Sequence, residues 1–420
     1  MATVVLIGTM DTKGQEYAWL ADRVREHGAE VLTVDVGTFS NEQADVPAAD
    51  VAKAGGHDLA ELRSAEDRGA AMQAMADGAA AVVLDLATDG RLDAVLAVGG
   101  SGGSSVAAHA MRALPVGTPK LLVSTMASGD VSPYVGEVDL TIMYSVVDVA
   151  GINSVSAQVF GNAAAAAAGM AREHEARAAR AYEEEHRPLV GLTMFGLTTP
   201  AVDEARAVLD WLGYEPLVFH ATGSGGGALE KLVRDGRLVG VADLTTTELA
   251  DELVGGVLTA GPDRLEAAGR AGLPQVVSVG AVDMVNFGPR GTVPAAFDDR
   301  RFVIHNPTVT LMRTTAEENA ELGRTIAAKL AAATGPVVLV LPRGGVSGID
   351  VEGGPFWDPE ADEALFTTLH EALDGTDVEV VDVDANINDA GFGRAAAERL
   401  HELVQAGAQS SADPEKEEDR

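Results

Sequence analysis

Short apolar runs alternate with helical patterns along almost the whole chain, and this alternation restricts the fold more than any other feature. Runs such as Val4-Val5-Leu6-Ile7-Gly8, Ala94-Val95-Leu96-Ala97-Val98-Gly99 and Val337-Val338-Leu339-Val340-Leu341 have no polar face. A strand without a polar face must be covered on both sides. Parallel sheets achieve this by returning through a helix after each strand. The chain therefore reads as α/β, built from doubly wound parallel sheets.

In the first half, strands are expected at 4–8, 31–36, 94–99, 121–124 and 140–144. Helices are expected at 15–27, 65–88 and 104–114, with a long one from 155 through the alanine tract 163–168 toward 185. Pro188 restarts a strand after a charged, alanine-rich stretch, which sets a first domain at 1–186 and a second at 187–407. The second half opens like the first. Val190-Gly191-Leu192-Thr193, a helix, Gly213-Tyr214-Glu215 and a strand at 216–222 repeat the spacing of Val5-Leu6-Ile7-Gly8, a helix, Gly28-Ala29-Glu30 and 31–37. Two similar Rossmann-like subdomains are therefore expected, as from a duplication. Further strands are expected at 238–243, 275–280, 302–305, 337–341 and 378–383, and helices at 201–212, 228–234, 315–333, 359–373 and 389–405. The acidic tail, 408–420, is expected to be disordered.

Composition narrows the function. No apolar run reaches the ~18–20 residues needed to cross a bilayer. Met1-Ala2-Thr3-Val4-Val5-Leu6-Ile7-Gly8 lacks a basic leader and reads as a first strand. The absence of cysteine excludes disulfides, thiolate metal sites and cysteine nucleophiles. A cytoplasmic protein with no membrane contact is expected. A net charge of −34 argues against nucleic acid as a partner. An anionic ligand would need that field offset locally by helix N-termini, by Lys13 or Arg313, or by a divalent metal.

Three glycine- and hydroxyl-rich turns follow strands of the first half, and each offers bare N–H groups and hydroxyls to an anion. In Gly8-Thr9-Met10-Asp11-Thr12-Lys13-Gly14, Thr9 and Thr12 supply hydroxyls, Lys13 a counter-charge, and Asp11 a carboxylate for Mg²⁺. The sequence is not a P-loop, and a plain helix start capped by Asp11 or Thr12 is the alternative. In Gly99-Gly100-Ser101-Gly102-Gly103-Ser104-Ser105 the glycines permit close backbone approach; helix–strand packing is the alternative. Ser124-Thr125-Met126-Ala127-Ser128-Gly129 repeats the chemistry, with Asp130 as a metal ligand or a turn acid. Asp35, closing the second strand, suits ribose hydroxyls or is a solvent-facing strand end. Ser145, Asp148 and Asn153 follow the fifth strand, where such folds keep their ligands.

The second half carries a further turn, His220-Ala221-Thr222-Gly223-Ser224-Gly225-Gly226-Gly227, with polar sets at 243–248, 283–288 and 305–313. His220 is the first candidate for acid–base chemistry, against a structural hydrogen-bonded histidine. No HExxH, GxSxG or paired-carboxylate pattern stands out.

Several strings in one order resemble a family. They are Gly8-Thr9-x-Asp11-Thr12-Lys13, Gly99-Gly100-Ser101-Gly102-Gly103, Ser124-Thr125-x-Ala127-Ser128-Gly129, Ser145-Val146-Val147-Asp148, Gly191-x-Thr193-Met194-Phe195-Gly196, Phe219-His220-Ala221-Thr222-Gly223 and Asp283-Met284-Val285-Asn286-Phe287-Gly288. The family is the little-characterised one typified by the N-terminal inhibitory region of the tomato mosaic virus resistance protein. The resemblance, from about Thr3 to about Arg399, implies two Rossmann-like subdomains, ATP binding with Mg²⁺, and a homodimer. The plant protein continues into a TIM-barrel region beyond the stretch that the resemblance covers, so a separate TIM-barrel protein is an expected partner.

The resulting expectation is an ATP-binding protein whose ligand lies on the first-domain loops, facing the interdomain cleft. Gly99, Gly100, Ser101, Gly102, Gly103 and Ser104 would cradle phosphates with Thr125, Ala127, Ser128, Gly129 and Ser145, and Asp11 or Asp148 would orient the metal. Chemistry, if any, would be ATP-dependent activation or phosphoryl transfer on a small-molecule substrate, with His220 or Arg313 as catalytic candidates. The rivals are a nicotinamide-dependent oxidoreductase using Asp35, and a non-catalytic ATP sensor read by a protein partner.

Overall fold

In the computed structural model, residues 1–41, 43–65, 67–180 and 187–411 are described, and the chain divides into two units, Met1–Glu185 and His186–Arg420. The far end of the long alanine-rich helix, the boundary residue at 186 and the tail from 412 lie outside the described residues.

Five parallel strands form the sheet of the first unit: β1 (Thr3–Gly8), β2 (Glu30–Asp35), β3 (Ala94–Gly99), β4 (Lys120–Ser124) and β5 (Thr141–Tyr144). Their order is β2-β1-β3-β4-β5. Val5 and Ile7 of β1 enter one core with Met75, Val83 and Met111, whereas Val4 and Leu6 enter the opposite core with Leu20, Leu96 and Phe160. Both faces of β1 are thus dry, which is why its central residues are all apolar. Helix Arg68–Thr88 is long and apolar enough to cross a membrane by length and composition. Here Ala71, Ala74, Met75, Ala79, Val83 and Leu86 are buried within the unit. Two short helices, Ala48–Ala54 and Leu59–Ser64, occupy a stretch for which no element was expected.

The second unit contains β6 (Leu189–Met194), β7 (Glu215–His220), β8 (Gly240–Thr245), β9 (Gln275–Gly280), β10 (Met284–Phe287), β11 (Phe302–Asn306), β12 (Val309–Arg313), β13 (Val337–Pro342) and β14 (Glu379–Val383). Six of these form a parallel sheet in the order β14-β13-β9-β8-β6-β7. In both units the first strand lies between the second and the third. The fold is a pair of Rossmann-like α/β units.

The polar segments of the second unit need correction. The strand expected at 302–305 is present as β11, but the polar sets at 283–288 and 305–313 also contain strands, β10 and β12, that were not expected. They supply a separate antiparallel sheet, β10-β12-β11, in which Met284 pairs with Arg313 and Phe302 with Met312. Asn286, Thr310 and Arg313 are buried there. Asn286 and Arg313 find internal partners, which lets a polar string serve as core strand. The final helix, Phe392–Ser411, also runs past residue 408, where the tail was expected to begin.

Candidate functional site

In an open parallel sheet the ligand crevice lies beyond the C-terminal ends of the strands, where the chain order reverses. In the first unit that point lies between β1 and β3. The Tyr17 ring holds it open. Its hydroxyl is 2.5 Å from the Ile7 carbonyl and accepts the Val98 N–H at 2.9 Å. A Cβ on Gly8 would stand 2.0 Å from this ring, which fixes glycine at the end of β1.

Beyond Gly8 the chain makes one tight turn before its helix. Lys13, at φ −131°, breaks the helical run of Met10–Glu26, and Thr9 caps nothing with its side chain. The Thr9 and Thr12 hydroxyls meet at 3.0 Å. Asp11 accepts the Phe39 N–H through Oδ2 at 3.1 Å, and a Cβ on Gly37 would lie 2.6 Å from its Oδ1. Asp11 thereby ties the exit of β1 to the exit of β2.

The exit of β3 runs directly into helix Ser101–Ala113, three residues earlier than expected from the sequence, and no side chain caps it. The first-turn N–H groups of such a helix have no intrahelical acceptor. Around Gly103 nothing lies within 4 Å of a built Cβ, and at Gly100 only the Thr125 hydroxyl does, at 3.8 Å. Packing therefore does not require glycine at these two positions, whereas a Cβ on Gly102 would stand 3.3 Å from Met72 Cε.

These two turns line one cavity of about 560 Å³, within the ~300–1,000 Å³ usual for small-ligand sites. Thr9, Asp11, Thr12, Lys13 and Gly99, Gly100, Ser101, Gly102 and Gly103 are brought together there, joined by Phe39, Arg63 and Arg68. Three cations face two carboxylates, and both carboxylates already accept backbone N–H groups: Asp11 from Phe39, and Asp67 from Ala70 at 3.0 Å. Arg63 holds the β2 exit through the Thr38 and Ser40 carbonyls at 2.6 and 2.7 Å. Arg63 and Arg68 were not anticipated, because they lie on helices and in no strand-exit turn, whereas the exit of β2, Gly37-Thr38-Phe39-Ser40, carries a glycine and two hydroxyls and is the signal that could have found Phe39.

Other expected site residues lie elsewhere. Ser104 is buried and its hydroxyl meets that of Ser124 at 2.7 Å, so it joins β3 to β4. Thr125, Ala127, Ser128 and Gly129 form a 3₁₀ turn and its cap outside the cavity lining. Asp130 is a turn acid, accepting the Ser132 N–H and hydroxyl. Ser145 is buried and donates to the Val147 carbonyl at 2.7 Å, and Asp148 is exposed and does not line the cavity. Asp35 is fully buried, accepting from the Met10 and Gly37 N–H groups at 3.1 and 2.8 Å, and burial raises its pKa. It is neither a solvent-facing strand end nor a ribose clasp. It is a backbone clamp beneath the site.

In the second unit the glycine turn after β7 already holds an anion of the protein itself. The Glu248 carboxylate accepts the Gly223 and Gly226 N–H groups at 2.7 and 3.0 Å. Arg264, fully buried, holds Glu248 at 2.7 Å, Asp243 in a bidentate pair, and Glu230. Burial raises the Glu248 pKa, with Arg264 opposing the shift. His220 is exposed at the end of edge strand β7, stacked on Phe195 at 5.8 Å. Arg313 is buried, bonded to the Phe356 carbonyl, Thr314 and Asp362, and braces the core. No three His, Asp or Glu side chains are grouped to hold a metal among the described residues.

Comparison with known proteins gives consistent matches. The N-terminal domain of the uncharacterised protein family UPF0261 matches residues 2–176, and its C-terminal domain matches 187–404. The chain is 48% identical over 405 residues to a UPF0261 protein of Clostridium tetani, covering 96% of this chain and 99% of that one. It is 42% identical over 421 residues to the ToMV resistance protein Tm-1 of Solanum lycopersicum, covering 95% of this chain and 55% of the tomato protein. Among solved structures, UDP-GlcNAc 2-epimerase from Neisseria meningitidis overlaps 66% of this chain and 82% of its own at 11% identity. Its TM-score of 0.20 is too low to carry an argument.

Proposed function

The chain belongs to the uncharacterised UPF0261 family, whose name assigns no activity, and from its own residues we propose that it binds ATP with Mg²⁺ in the cavity of the first unit. The observation that carries this reading is the meeting of two glycine–hydroxyl turns with Lys13, Arg63 and Arg68 in a chain of net charge −34. A local cluster of cations and uncapped N–H groups is what a polyphosphate requires against such a field. The open space at Gly100 and Gly103 leaves room for phosphate oxygens against the backbone. Asp11 and the Thr9 and Thr12 hydroxyls are the donors suited to Mg²⁺, which takes most of its remaining ligands from phosphate and water.

Two rival readings draw unequal support from this geometry. The nicotinamide reading rested on Asp35, which is buried and bonded to backbone. The sensor reading gains support, since no histidine or tyrosine lines the cavity among the described residues. Binding that is read by a partner then fits better than phosphoryl transfer. Homodimer assembly, a cytoplasmic location and a separate TIM-barrel partner belong to the same proposal; light scattering, fractionation and a pull-down test them.

Calorimetric titration of ATP with and without Mg²⁺ tests the binding itself. Wild type should bind, and Gly103→Val, whose added Cβ stands in open space, should lose binding while its ligand-free melting stays unchanged. Undiminished binding by Gly103→Val would remove this cavity from the reading.

A further inference from the structure

We propose that Phe39 is the platform on which the purine ring of the bound nucleotide stacks, and that it is the residue distinguishing a nucleotide from a bare polyphosphate. The inference rests on the proposed ATP site. Phe39 is 67% exposed, an unusual state for a phenylalanine, and it lines the cavity that holds the two glycine turns.

The backbone beneath that ring is held at every residue. Gly37 N–H is bonded to Asp35, the Thr38 and Ser40 carbonyls to Arg63, Phe39 N–H to Asp11, and Ser40 N–H to the Gly37 carbonyl at 3.0 Å. A loop pinned this thoroughly has little left to order when a ligand arrives, so an aromatic ring projecting from it is pre-organised for stacking. Leu62, Met72 and Val106 line the same cavity, providing a dry region for a planar base beside the cationic region for its phosphates.

Asp11 gains a defined part in this arrangement. It leaves the phosphate-side turn of β1 and holds the Phe39 N–H, so it positions the stacking loop relative to the polyphosphate turn. Its removal should shift the ring without deleting it.

Full-length wild type, Phe39→Ala and Phe39→Tyr are titrated with ATP and with inorganic tripolyphosphate, both with Mg²⁺. Phe39→Ala should weaken ATP by about tenfold or more, the scale of a lost base–aromatic stack. It should leave tripolyphosphate affinity and ligand-free melting unchanged, and Phe39→Tyr should restore ATP binding. Equal ATP affinity in wild type and Phe39→Ala overturns the stacking role while leaving the site intact. So does an equal loss for both ligands. Failure of wild type to bind either ligand overturns the ATP site itself, and the stacking role with it.

Discussion

The Tyr17 hydroxyl accepts the Val98 N–H at 2.9 Å where β1 and β3 part. The paired register of these strands ends at Ile7 and Ala97, and the phenol takes up the backbone groups left just beyond it. Burial raises the Tyr17 pKa, so the group stays protonated and keeps its one donor. Tyr17→Phe strips these bonds from a dry position. It should destabilise the first unit by about 1–3 kcal/mol, the cost of orphaned buried polar groups. Urea unfolding followed by circular dichroism measures this. An unchanged midpoint would contradict the wedge role.

Lys13 and Arg68 line the cavity and supply two of its three cations. Replacing either with alanine should lower ATP affinity about tenfold, the scale of one charge-assisted hydrogen bond. The difference from wild type should shrink as salt rises, because screening weakens each cation's attraction for phosphate. Titration at low and high ionic strength reads both effects. A loss independent of salt would point to altered shape instead of charge.

Arg264 should be the most sensitive buried cation of the second unit. Its guanidinium holds Asp243, Glu248 and Glu230 together away from solvent. Arg264→Met leaves those carboxylates without their counter-ion, and breaking a buried pair on one side costs about 3–5 kcal/mol. Chemical denaturation should show the loss. Gly226→Ala should act in the same direction, since its Cβ would stand 2.0 Å from Glu248 Oε2.

The second unit should lose stability as pH rises toward 8. Asp283, Asp350 and Asp362 surround Arg313, and burial raises all three, Asp283 to about 7 and Asp362 to about 8. Between the ordinary carboxylate range near 4 and these values, the folded chain holds protons that the unfolded chain has released. Stability then falls with pH by about 1.4 kcal/mol per unit for each proton held. The contribution is fully present below about pH 4 and gone once pH passes the folded values. Asp283→Asn, which can still accept from Ser347, should flatten the slope. Urea midpoints followed from mildly acidic to mildly alkaline buffer test this, and a flat profile in wild type would contradict it.

The parallel sheets were legible because strands such as β1 and β3 are dry on both faces, and a two-faced apolar run has few other uses. The turns at Thr9 to Lys13 and at Gly99 to Gly103 were legible for a local reason: strand exits with glycines and hydroxyls advertise free N–H groups. Arg63, Arg68 and Phe39 were not, since only the folding of the segment between β2 and β3 carries them to those turns. Ser104 and Ser124 have the composition of ligand donors, yet each is the other's partner. Strands β10 and β12 were hidden by Asn286 and Arg313, whose burial depends on acceptors distant in sequence, including Asp251 and Asp362.

Glu248 shows what a strand-exit glycine turn does and does not announce. Its carboxylate sits on the N–H groups of Gly223 and Gly226, so the second unit carries its own permanent counter-anion, covalently part of the chain. A mobile phosphate competing for that turn would have to evict a tethered rival already neutralised by Arg264. Of two architecturally matched lobes, one answers its own donors from within, and the other leaves the start of helix Ser101–Ala113 uncapped by any side chain.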